Sequence, residues 1–143
     1  MQITRQADYA LRAVLYLAQL ESNQRASTSQ IAEEQSIPPS FLAKIISQLS
    51  VAGLITTSRG ARGGVSLARP PAEISLLEVV EAIDGPITLN ECTLNSSACR
   101  FSDECVLRPV WCDARTDLVD HLRSTTFCSD LFNGNHKNQL SPE

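Results

Sequence analysis

The chain has 143 residues, of which 43% are hydrophobic and 20% charged, with a formal net charge of −4. That is one domain of ordinary globular composition, long enough to bury a core without disulfides. No apolar run reaches the roughly 18 residues of a membrane span, and the opening residues lack the layout of a secretory signal, so a cytoplasmic chain with reduced thiols is expected.

The net charge conceals an asymmetry. Residues 1–70 carry seven Lys/Arg against four Asp/Glu, whereas residues 71–143 carry five against twelve. A basic first half suits an anion-binding module joined to something else.

Thr4 is placed to cap a helix from Arg5 to about Glu21, with Ala7, Leu11, Val14, Leu15 and Ala18 recurring at helical spacing. Ser27 followed by Gln30 has the layout of a capping box, opening a short helix that stops near Ser36. Pro38-Pro39 starts another, because proline is tolerated where its missing N–H would bond to nothing. Its apolar face is Phe41, Leu42, Ile45, Ile46 and Leu49, and Gly53 ends it. Two short helices joined by about four residues form a helix-turn-helix candidate. Leu54–Thr57 and Val65–Ala68 then alternate as strands around a glycine-rich turn bearing Arg59 and Arg62.

This pattern predicts a winged helix-turn-helix over residues 1–71. The second helix of the pair would enter the major groove with Ser40, Ala43 and Lys44, which lie off its apolar face. Thr28 and Pro39, at the helix starts, complete the expected DNA-contacting set. Arg59 and Arg62 would reach phosphate or the minor groove, where negative potential favours guanidinium. The plainer reading is a winged domain that binds only protein, with both arginines as solvated turn residues.

Residues 72–104 hold a short helix begun by Ser75, broken at Asp84-Gly85-Pro86, and then a polar loop with Cys92, Cys99 and Cys105 at C-x6-C-x5-C. Structural cysteine usually sits in apolar runs, and these do not. Thiolates gathered in a polar loop are iron–sulfur or zinc ligands, and gaps wider than those of zinc sites suit a larger object. A thiol switch is the other possibility. None of Cys112, Cys128, His121 or His136 stands out as a fourth ligand.

Residues 105–132 contain a long helix with Pro109 in its first turn. Leu107, Trp111, Ala114, Leu118, Leu122 and Thr125 form one stripe, whose simplest partner is the same helix of a second chain. The alternative is a helix folded back on its own domain. Residues 133–143 read as a flexible tail. The expected architecture is thus mainly α with a small β-hairpin, a winged helix-turn-helix plus a long dimerisation helix. No nucleotide loop or catalytic triad order stands out, so an enzyme is not expected.

Taken together, the opening Met1-Gln2-Ile3-Thr4 with Asp8-Tyr9-Ala10-Leu11-Arg12, the stretches Lys44-Ile45-Ile46 to Leu49 and Gly53-Leu54-Ile55, the wing Arg59-Gly60-Ala61-Arg62-Gly63-Gly64 and the three-cysteine loop resemble the Rrf-two family of bacterial transcriptional regulators. The resemblance covers roughly residues 1–125. It implies a homodimer, a repressor more readily than an activator, on a two-fold DNA operator, with an iron–sulfur cluster held by Cys92, Cys99 and Cys105. In the IscR-like branch the fourth ligand is a His three residues after the last cysteine, where this chain has Arg108. In the NsrR-like branch it is an Asp on the first helix of the partner chain, and Asp8 stands at the matching place. That implies [4Fe-4S], with [2Fe-2S] as runner-up, and a signal among nitric oxide, redox state and cluster supply. Asp8 also has a structural reading, an exposed i,i+4 pair with Arg12 worth about 0.3–0.5 kcal/mol. Two rivals remain: the same regulator without a cluster, using its cysteines as a thiol switch or zinc site, and an interaction module of an iron–sulfur assembly complex that never meets DNA.

Overall fold

The computed structural model describes residues 2–132; the expected flexible tail, 133–143, and His136 with it lie outside the described residues. The order is α1 (Arg5–Ala18), α2 (Thr28–Glu34), α3 (Pro39–Val51), β1 (Ile55–Ser58), β2 (Gly64–Leu67), α4 (Leu76–Asp84), α5 (Arg108–Ser124) and α6 (Ser129–Phe132). This is the mainly helical fold with one hairpin that the sequence predicts.

Local signals operate as expected. The Thr4 side chain accepts from the Ala7 N–H at 3.1 Å, opening α1. The Ser27–Gln30 capping box is complete, and a second one, Ser75–Glu78, opens α4. Gly53 (φ 75°) and Gly85 (φ 78°) stand just past the ends of α3 and α4, in backbone conformations that favour glycine. α1 stops at Ala18, short of the expected Glu21.

Burial on α1 departs from expectation. The covered residues are Ala7, Ala10, Ala13, Val14 and Leu17, whereas Leu11, Leu15 and Ala18 are only half-buried. The reason is position: α1 packs against both α3 and α4, and alanine at the contact lets helices approach closely. Leu11 instead reaches a second, smaller core of Leu77, Val80, Ile87 and Val119, which Leu118 and Leu122 also join. That core roots α5 on α4.

β1 and β2 pair antiparallel, Ile55 opposite Leu67 through Ser58 opposite Gly64, one residue offset from the predicted segments. Leu54 remains buried just outside the strand, its carbonyl accepting from Ala68 at 3.0 Å. Ala26 adds a bridge to Val65, with N···O distances of 3.1 and 2.7 Å. Gly64 (φ 149°) permits this approach, because a Cβ there would stand 2.9 Å from the Ala26 carbonyl oxygen. Gly64→Ala is therefore expected to cost about 1–3 kcal/mol through backbone strain, measured as a lowered denaturation midpoint; an unchanged midpoint would contradict this.

The chain beyond α5 turns back into the first core. Leu76 donates to Thr125 and Phe127 to Ile74, at 2.9 and 3.2 Å. The Phe127 ring is 1% exposed, packed in one core with α1, α3, Ile74 and Val79. The predicted α5 stripe consequently divides. Leu118, Leu122 and Thr125 are half-buried or buried against their own chain, whereas Leu107, Trp111 and Ala114 are exposed. No helix among the described residues is long and apolar enough to cross a membrane.

Candidate nucleic-acid interface and cysteine loop

Pro38 and Pro39 launch α3 with no side-chain cap. Leu42, Ile45, Ile46 and Leu49 bury one face, which leaves Pro39, Ser40, Ala43 and Lys44 exposed on the other. Thr28, first residue of α2, is exposed as well. Arg59 and Arg62 are exposed in the turn between the strands. The ion pairs of the described residues are Arg12–Asp8, Arg69–Glu78 and Arg123–Asp120, so Lys44, Arg59 and Arg62 have no carboxylate partner there. Their charge is available to an external anion.

Phe41 departs from expectation. It is 41% exposed rather than buried, and its ring meets the Tyr9 ring of α1 edge-on, with centroids 6.1 Å apart. One apolar position too many falls on α3 for the width of the groove it fills, and Phe41 closes against α1 instead.

Tyr9 belongs to a wider junction. The Arg12 guanidinium lies 4.9 Å from the Tyr9 ring centroid, and its Nη1 donates to the Gln35 carbonyl, in the turn before α3, at 2.9 Å. Arg12 Nε stands 3.4 Å from Asp8 Oδ2, yet it is buried and makes no well-directed hydrogen bond. The Asp8 contact is therefore a loose, exposed ion pair that an outside competitor can break cheaply.

Arg69, just past the wing, binds Glu78 of α4 at 2.7 Å. Burial works against the Glu78 charge, but the Ser75 N–H, the hydrogen bond and charge of Arg69 and the Ser75 hydroxyl together outweigh it, holding the carboxyl below its usual value. A depressed folded-state pKa contributes stability that is present above the unfolded value and lost as pH falls through the folded one. Arg69→Ala should therefore flatten the loss of stability below about pH 4.5, in denaturant titrations across the acid range. An acid limb as steep as in the unsubstituted chain would count against this.

The cysteine loop is built from short turns, residues 91–93 and 96–98, held by local bonds such as Thr93 Oγ1 to the Asn90 carbonyl at 2.7 Å and the Ser97 N–H to Asn95 Oδ1 at 3.0 Å. Cys92 and Cys105 are half-buried, Cys99 is exposed, and all three are free thiols, as is Cys112. The structure does not bring Cys92, Cys99, Cys105 and Asp8 into one group: among the described residues no three potential metal donors converge. Arg108, at the position where the IscR-like branch has His, is not idle. Its Nε donates to the Cys92 carbonyl at 3.2 Å, and Arg115 Nε to the Ile87 carbonyl at 2.6 Å, so α5 holds the start of the loop from two positions. Nothing in the sequence marks Arg108 for this role beyond a long donor side chain close to a loop.

The donor set suits a metal–sulfur group. Cys92, Cys99 and Cys105 are three uncommitted thiols in one loop whose hydrogen bonds are mostly local, and thiolates are the donors that iron–sulfur groups take. Within that loop the buried Ser102 Oγ has no hydrogen-bond partner, an unmet demand of the kind a bound group satisfies.

A capped helix-turn-helix followed by a hairpin with a cationic tip defines a winged-helix DNA-binding regulator. The chain belongs to the Rrf2 family, described as an iron-dependent transcriptional regulator, whose profile matches residues 3–133. Transcriptional regulation through DNA binding is the activity of that class. Among solved structures, a putative transcriptional regulator from Listeria innocua is 29% identical, with a TM-score of 0.81, over 100% of this chain and 94% of that one. T. potens IscR shares the fold at 24% identity, TM-score 0.74, over 100% and 94%. The oxidized form of Staphylococcus aureus CymR is 28% identical, TM-score 0.67, over 89% and 93%.

Proposed function

We propose that the protein is a homodimeric, cytoplasmic repressor whose affinity for a two-fold operator depends on an iron–sulfur cluster. In this reading residues 1–71 read DNA, 72–104 hold the cluster and 105–132 join the dimer. The observation that carries it is the loop with three free thiols, Cys92, Cys99 and Cys105, fastened by Arg108 to the head of α5.

Exposed apolar residues gather within and just after that loop. Phe101 is 59% exposed, Val106 84% and Trp111 38%, with Leu107 and Val110 beside them. Such a patch favours burial against another surface, and a second copy of α5 is the simplest cover. The operator would be met by Thr28, Pro39, Ser40, Ala43 and Lys44 in the major groove and by Arg59 and Arg62 from the wing. The ligands would be the three cysteines and Asp8 of the partner subunit, favouring [4Fe-4S] over [2Fe-2S].

Bound there, the cluster would supply reactivity toward nitric oxide and oxidants and a reversible electron site. The chain's own residues carry the consequence. Asp8, when drawn toward the partner, leaves Arg12. Arg12 holds the turn before α3 through Gln35 and lies over Tyr9, whose ring meets Phe41 on α3. Ligation at Asp8 would thereby bear on α3. Only a difference in head arrangement between the two states can shift affinity for DNA.

The test is purification without oxygen, with iron, acid-labile sulfide and Mössbauer spectra measured beside operator titration. Brown protein with matched iron and sulfide is expected. A second reading, the thiol switch, draws on the free cysteines and on the similarity to an oxidized CymR. Colourless protein whose operator affinity responds to a thiol oxidant would favour it.

A further inference from the structure

From Leu94 to Glu104 every residue but one is exposed. The exception is Ser102, which is 6% exposed and polar. Its N–H donates to the Cys99 carbonyl at 3.1 Å, so its backbone is satisfied. Its hydroxyl is not: Oγ is buried without a hydrogen-bond partner. A buried unpaired hydroxyl is costly, and a loop otherwise open to solvent offers many places where the group could have stayed wet. Ser102 stands three residues after Cys99 and three before Cys105. Metal-bound thiolates and inorganic sulfides are acceptors that need donors, and hydrogen bonds to these sulfurs help to set the potential and lifetime of a cluster.

We infer that the Ser102 hydroxyl is a positioning group that donates a hydrogen bond to a sulfur atom of the metal–sulfur group held by this loop, so that Ser102, itself not a ligand, tunes how readily that group is reduced and lost. The inference rests on the cluster reading above and assigns a role outside the ligand set. A donor to sulfur favours the more electron-rich, reduced state. Its removal therefore lowers the reduction potential and exposes the ligands to exchange.

Ser102→Ala and Ser102→Thr, purified without oxygen, test it against the unsubstituted protein. In the loaded state Ser102→Ala should shift the midpoint potential to more negative values in spectroelectrochemical titration. It should also lose visible absorbance to a chelator roughly ten-fold faster. Ser102→Thr keeps the O–H and should restore both. Loading by Ser102→Thr with none by Ser102→Ala also supports the donor role. In cluster-free protein Ser102→Ala should melt no lower than the parent, because it deletes an unsatisfied hydroxyl. An unchanged potential and loss rate in loaded Ser102→Ala overturns the inference alone, and so does equal destabilisation of the loaded and cluster-free proteins. Absence of iron and sulfide from the unsubstituted protein overturns the cluster reading and this inference with it.

Discussion

Cys99→Ala protein, prepared without oxygen, is expected to lack the visible absorbance of the parent and to bind operator roughly 5- to 150-fold more weakly, the usual range of coupling between two sites. Cys99 is the exposed member of the trio and is unpaired, so its removal disturbs little packing. A fall in melting temperature of the cluster-free protein is accordingly not expected. Cys128→Ala provides the contrast. It lies on the return segment beside Phe127 rather than in the loop, and it should keep the absorbance. Operator affinity identical in Cys99→Ala and parent, with the parent fully loaded, would separate the cluster from DNA binding and sink the coupling.

Arg59→Ala should have the second large effect, and its signature is the salt dependence. The side chain stands in the exposed turn between β1 and β2 and has no ion pair among the described residues. Each phosphate contact contributes about 0.9 to the slope of log affinity against log salt. The proposed dimer would carry the substitution twice, so the slope should flatten by about two. If Arg59 instead enters the minor groove, the loss should be about 1–3 kcal/mol per contact and should vary with base sequence there. Stability should be unaffected, since the exposed side chain makes no hydrogen bond or ion pair among the described residues. An unaltered slope and affinity would remove the wing from the interface. The overall charge of −4 does not conflict with this, because twelve of the sixteen acidic residues follow residue 70, beyond the winged helix.

Much of the frame of the candidate interface is legible in the sequence. The Thr4 cap, the Ser27–Gln30 box, the proline start of α3 and the glycine-rich turn each depend on residues within about four positions of one another, and all stand where their residues predict. The cysteine spacing was equally visible, though spacing alone leaves ligand and switch chemistry both open. What was missed involves partners far apart. Thr4, whose hydroxyl caps α1, also bonds Asp84 through its N–H, 80 positions away, and Arg115 bonds the Ile87 carbonyl 28 positions away. The spacing of Phe41 matches the core face, yet the residue is exposed, because periodicity cannot tell how wide a buried face will be.

By itself the sequence determined a winged reading head with a cationic tip, a loop of three thiols and a long following helix, since helix caps, turns and hydrophobic periods are short-range effects. Only the tertiary structure decided which side of α1 is covered and that Phe127 returns to fill the first core. It also decided that α5 divides between its own domain and open solvent, and that Arg108 and Ser102 attend the cysteine loop. Those outcomes depend on the simultaneous placement of several elements, because burial and hydrogen bonding are satisfied across the whole fold rather than along the chain.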